Sequence, residues 1–105
     1  MTRPVRVDAE AREEIEAAVA WYDSQTAKST LGDELLDAVD DAFAKIGERP
    51  ESFSLAPEVP ERLRARRIAL GRFPYQVVFL EMEDHIRVLA FAHARRRPGY
   101  WRSRV

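Results

Sequence analysis

The sequence predicts an α+β domain in the order β-α-α-β-β-β, a helix hairpin packed on one face of a small antiparallel sheet. Three observations carry this prediction. Two apolar stripes of helical period, joined by a short polar link, occupy the first half of the chain. From Arg62 onward the pattern changes to three runs of β type. The 105 residues, 46% apolar and 33% charged, are enough for one hydrophobic core, so residues 1–105 read as a single domain.

"RPVRVDA" is a short β-prone piece and the first strand, with Val5 and Val7 on one side and Arg6 on the other. Asp8 can cap a helix that begins at Ala9, with Glu10, Glu13 and Glu14 in its positive first turns. Ala11, Ile15, Ala18, Val19 and Tyr22 recur at spacings of three and four along it. "SQTAKST" breaks the pattern. Thr30 is the next cap, with Asp33 as a weak capping-box partner. The second helix carries Leu31, Leu35, Val39, Ala42 and Ile46 on one face, and Gly47 followed by Pro50 should end it.

"ERPESFSLAPEVPE", with three prolines, is a loop. "RLRARRIAL" is the second strand and the most polar, which suits an edge; as an extended run it would put Arg62, Arg64 and Arg66 on one face. "FPYQVVFLEM" and "HIRVLAFAHA" flank the hairpin-length turn "MEDH" and are apolar on both sides, as strands in the middle of a covered sheet are.

Several functions are excluded or unsupported. The chain has no cysteine, hence no disulfide, thiolate metal site or cysteine nucleophile, and His85 and His93 alone are thin material for a metal site. No run is long enough to span a membrane and no signal-peptide core opens the chain, so the expected compartment is the cytoplasm. No Gly-rich phosphate loop, HExxH or GxSxG occurs, and no cofactor is expected. The glutamates of the first helix have no partner constellation and read as a solvated face.

The net charge of −1 conceals an asymmetry. Residues 1–61 hold 15 acids and 6 bases; residues 62–105 hold 3 acids and 11 bases, every one of them arginine. Arginine offers a planar fork to phosphate and a face for stacking. The chain closes on "AHARRRPGYWRSR", where Arg95, Arg96, Arg97, Tyr100 and Trp101 follow the last strand. With Arg66, Arg67 and Arg72 they could converge on one open edge, a footprint of nucleic-acid type. Charged protection of an edge strand and pairing with the acidic helices account for the same arginines equally well. His93 could pin the tail by hydrogen bonding or act as a base, and Trp101 could pack the tail or stack on a target.

The element order, with Phe73–Pro74–Tyr75 and the cluster of His93, Arg95, Arg97, Pro98 and Trp101, resembles the RelE/ParE superfamily of toxins from bacterial type II toxin–antitoxin systems, in its ParE-like, plasmid stabilization branch. The resemblance covers nearly the whole chain and implies a growth inhibitor neutralised by a cognate antitoxin. ParE-like members bind and poison DNA gyrase without hydrolytic chemistry. RelE-like members cleave ribosome-bound mRNA, and a non-toxic nucleic-acid-binding relative is a third possibility. In the ribonuclease case the resemblance makes Arg97 the charge-stabilising residue and Trp101 or Tyr100 the stacking or proton-transferring aromatic. The candidates for target or nucleic-acid binding are Arg66, Arg67, Arg72, His93, Arg95 and Arg97, and the resemblance puts Arg66 or Arg67 where sheet lysines serve as acid/base groups in ribonuclease members. Two departures favour the gyrase branch: residues 62–105 contain no lysine, and Phe73 stands where ribonuclease members place a basic residue. Arginine is a poor proton shuttle because it stays protonated.

Overall fold

The computed structural model describes residues 2–57 and 59–105. Helices α1 (Ala9–Asp23) and α2 (Leu31–Glu48) form the hairpin, and β1 (Val5–Val7), β2 (Arg66–Ala69), β3 (Tyr75–Glu81) and β4 (Ile86–His93) form one sheet in the order β1-β4-β3-β2. The architecture is the expected α+β one, with β2 at an edge and β3 and β4 in the middle. The sheet is mixed, however, because β1 runs parallel to β4 while the other pairs are antiparallel. A parallel neighbour needs a long crossover, and the helix hairpin between β1 and β2 supplies one. Among the described residues no helix is long and apolar enough to cross a membrane.

The all-apolar reading of β3 and β4 has a direct structural cause, since both faces of the sheet are covered. On the helix side, Val77, Phe79, Ile86, Val88 and Phe91 pack against Ala11, Ile15 and Ala18 of α1 and Leu35, Val39 and Ile46 of α2. On the reverse side Val78, Leu80, Leu89 and Ala90 pack against Ala56, Ala65 and Trp101. Val78 pairs with Ala90 and Phe79 with Val88, so Leu89 is an extra residue in β4. This bulge sends Leu89 and Ala90 to the same side and restores the alternation beyond them.

The polar run before β2 departs from the expectation. Strand begins only at Arg66, because Glu61–Leu63 form a single 3₁₀ turn after Pro60 and Arg64 closes it with φ 57°. Arg62, Arg64 and Arg66 therefore do not share an extended face. The outer edge of β2 is covered as far as Arg67, whose N–H donates to Ser54 C=O.

The helix ends differ in detail from the capping signals. Asp8 and Thr30 occupy the N-cap positions, but neither side chain caps its helix. Asp8 instead accepts Arg87 of β4 through both carboxylate oxygens, at 2.9–3.1 Å. The Thr30 hydroxyl donates to Glu34, and not to Asp33, at 3.1 Å. Gly47 lies inside α2, where a Cβ would sit 2.9 Å from the carbonyl oxygen of Arg3. Its lack of a side chain lets the N-terminal segment approach, and Arg3 N–H donates to Gly47 C=O at 2.9 Å.

Candidate functional site

β4 runs out at His93, beside the start of β3, where Ala94 N–H donates to Pro74 C=O. A turn closed by Arg96 N–H on His93 C=O follows. Gly99, at φ 74°, then sends the chain into a last 3₁₀ turn, Tyr100–Arg104, beneath the reverse face. A left-handed residue is needed there, and glycine adopts it without a Cβ penalty.

This turn is part of the fold. Trp101 is 1% exposed and closes the reverse-face core. The Tyr100 hydroxyl donates to Glu14 Oε2 at 2.5 Å, and Arg96 lies over the Tyr100 ring at 3.8 Å. Glu14 also accepts Arg104 at 2.9 and 3.2 Å and the backbone N–H of Phe91 at 3.0 Å. Arg104 in turn donates to Leu89 C=O at 3.0 Å and pairs with Glu10 at 3.2 Å.

The need for this cluster follows from strand lengths. β1 pairs with β4 only at Ile86–Val88, so the outer edge of β4 beyond it lacks a neighbouring strand. Glu14 and Arg104 take the N–H of Phe91 and the C=O of Leu89 as such a strand would. Burial alone would push the Glu14 carboxyl up. Hydrogen bonds from Arg104, Tyr100 and Phe91 outweigh it and hold the group below its ordinary value. The Tyr100 phenol is pushed up, first by burial and then by its bond to Glu14.

One expectation is corrected here: Glu14 is not on a solvated face. Of the two roles open to Trp101, the structure has it packing the tail, and the Tyr100 hydroxyl is held by Glu14.

The arginines divide between the two sides of the sheet. Arg67 is opposite Val78 and so belongs to the reverse face, whereas Arg66, opposite Phe79, belongs to the helix face and donates to Phe53 C=O at 2.6 Å. Arg72 pairs with Glu34 of α2 at 3.0 Å and lies over Phe73. Neither joins the tail. Arg67, Gln76, His93 and Arg97 do meet, around a hollow of about 250 Å³ lined by no carboxylate among the described residues. No ion pair is found for Arg97 among the described residues. A hollow of about 550 Å³ between the N-terminal segment and the β3–β4 turn has the opposite character, with Glu48, Glu51, Glu83 and Asp84 in its wall.

His93 joins the 250 Å³ hollow to its neighbours. Its Nδ1 accepts Arg95 N–H at 3.0 Å, so the neutral ring carries its hydrogen on Nε2 and offers a donor. The ring meets Tyr75 edge-on with centroids 4.9 Å apart. Beyond it opens a groove of about 470 Å³ walled by Trp21, Tyr22, Pro74, Tyr75, His93 and Arg95. Trp21, 57% exposed, was not anticipated as a site residue. Its signal was available, since a tryptophan lying off the stripe of Ile15, Ala18 and Tyr22 is not needed by the core. Among the described residues no cluster of three or more His, Asp or Glu is placed to hold a metal ion.

The fold and this surface can be set beside known proteins. A family model described as ParE toxin of type II toxin-antitoxin system, parDE, matches residues 5–98. Among solved structures, one described as the chromosomal ParDE TA system from P. aeruginosa is similar, with a TM-score of 0.62 at 19% identity. The match covers 88% of this chain and 96% of that one. No curated protein matches.

Proposed function

This chain belongs to the ParE toxin family of type II toxin–antitoxin systems, and on that premise we propose that it arrests growth by binding DNA gyrase, without hydrolysing nucleic acid. It acts in the cytoplasm, and a cognate antitoxin of the ParD kind neutralises it. The observation that carries the binding mechanism is that the Tyr100 hydroxyl is held by Glu14 and the Trp101 ring is 1% exposed, so neither residue offers a free reacting group to the 250 Å³ hollow that both border. In the ribonuclease reading one of them stacks on substrate or transfers a proton to it. The remaining titratable group, His93, has Nδ1 occupied by Arg95 N–H and therefore serves better as a donor than as a base. Arg67, His93 and Arg97 form the centre of the target-facing surface, with Arg95 beside them. Arg66 and Arg72 have roles within the fold.

Arginines that only bind can hold a target by charge and fork geometry with no proton transfer. Inducing this chain alone should arrest bacterial growth, and co-expressing its antitoxin should restore it. Messages on translating ribosomes should remain intact during the arrest. Unchanged growth at verified soluble expression would count against toxicity, and codon-specific cleavage of ribosome-bound message would transfer the protein to the ribonuclease reading.

A further inference from the structure

We propose that the surface around His93 is a site for an unpaired nucleotide of single-stranded nucleic acid, its phosphodiester held on the Arg97 side and its base stacked on Trp21. The inference rests on this surface facing the target, but not on that target being gyrase.

The two halves of such a ligand have separate receptors that share the His93 ring. On one side the 250 Å³ hollow presents Gln76 and the cation Arg97, with no carboxylate among its described walls. That volume is about eight times the ~30 Å³ share of a liquid water, roomy enough for a phosphate and part of its sugar. His93, in the wall of both cavities, keeps an Nε2–H donor because its Nδ1 accepts Arg95 N–H.

On the other side the 470 Å³ groove contains no Leu, Ile, Val or Met; its described walls are rings and one arginine. Trp21 meets Tyr22 edge-on, with centroids 4.9 Å apart, and remains more than half exposed. A large ring left open beside cations is what base stacking uses, because every base has a π-face. Flat walls suit a planar base better than the branched side chains of a docking peptide. The tail supplies the phosphate side of what its sequence suggested, and α1 supplies the stacking ring.

Unpaired bases occur in single-stranded DNA and in RNA, and the test separates them. Fluorescence anisotropy should be measured on the full chain with labelled oligothymidylate, oligouridylate, an abasic oligomer of equal phosphate number, and a blunt duplex. One or both single strands should bind more tightly than the abasic oligomer and the duplex, and the tighter of the two identifies the source. Trp21→Ala should weaken that binding by about 5- to 150-fold, the equivalent of ~1–3 kcal/mol for one stacked base, with Trp21→Phe recovering most of it. Trp21 is exposed, so an unchanged melting temperature should accompany the loss. Arg97→Ala should flatten the salt dependence by about 0.7 in log–log slope.

Equal affinity for the abasic oligomer, full competition by an acidic peptide, or an unaltered Trp21→Ala variant would overturn the proposal. No oligonucleotide binding alongside undiminished gyrase inhibition would remove this site and leave the gyrase reading standing. Oligonucleotide binding without gyrase inhibition would do the reverse.

Discussion

Trp101→Ala is expected to cost about 3–5 kcal/mol, the usual range for truncating a buried tryptophan, and so to remove a large share of the domain's stability. Trp101 is the largest fully buried side chain among the described residues, and it packs on Val78, Leu80, Leu89 and Ala90. Its removal opens the reverse face of both central strands. It also frees the turn that carries Arg104. Against a total stability of about 5–15 kcal/mol for a typical domain, this loss should lower the melting temperature by more than about 12 °C. Arg102→Ala, an exposed change in the same turn, should have little effect. A Trp101→Ala melting temperature within a few degrees of wild type would mean that the tail is not part of the core.

Glu14→Ala should be the second most damaging change, at about 2–4 kcal/mol. Its carboxylate and the Arg104 guanidinium are largely buried, with side-chain exposures of 16% and 13%, and removing the acid leaves the cation only Glu10, itself 60% exposed, as a carboxylate partner among the described residues. The loss is set somewhat below that for a fully buried pair because both groups retain some water. The Tyr100 hydroxyl and the Phe91 N–H lose their acceptor as well.

The effect carries a pH signature. The folded-state pKa of Glu14 is depressed, so its contribution is present above the unfolded-state value of about 4.3 and drains away as pH falls through the lower folded value. The stability gap between wild type and Glu14→Gln, measured by denaturant titration, should be full at neutral pH and shrink below about pH 4. A gap independent of pH from neutral to acid would show that the charge of Glu14 is not what holds the tail.

Much of the fold was legible in the sequence because it rests on periodic burial. The stripes of α1 and α2, and the two-sided apolar runs of β3 and β4, reflect faces that really are covered. What sequence did not reveal depends on contacts between distant segments. The parallel β1–β4 pairing has no turn signal, since two helices intervene. Glu14 looks like any acid in a helix's first turns until Tyr100 and Arg104 are brought back, 86 and 90 residues later, onto the edge of β4. The tail's composition pointed to the end of β4, where His93 and Arg97 line one hollow. Composition could not separate a tyrosine and tryptophan folded inward from a tryptophan turned outward on another element.

The central claim is that this tail is a folded platform for binding, with no catalytic aromatic, and supercoiling of relaxed plasmid by purified gyrase tests it most directly. Wild-type protein should inhibit supercoiling and trap cleaved DNA. Tyr100→Phe, which removes only the hydroxyl held by Glu14, should still do so at comparable concentration, while Arg97→Ala should need considerably more. Undisturbed supercoiling in the presence of folded wild-type protein would contradict the claim, as would a stably folded Tyr100→Phe variant that has lost all inhibition.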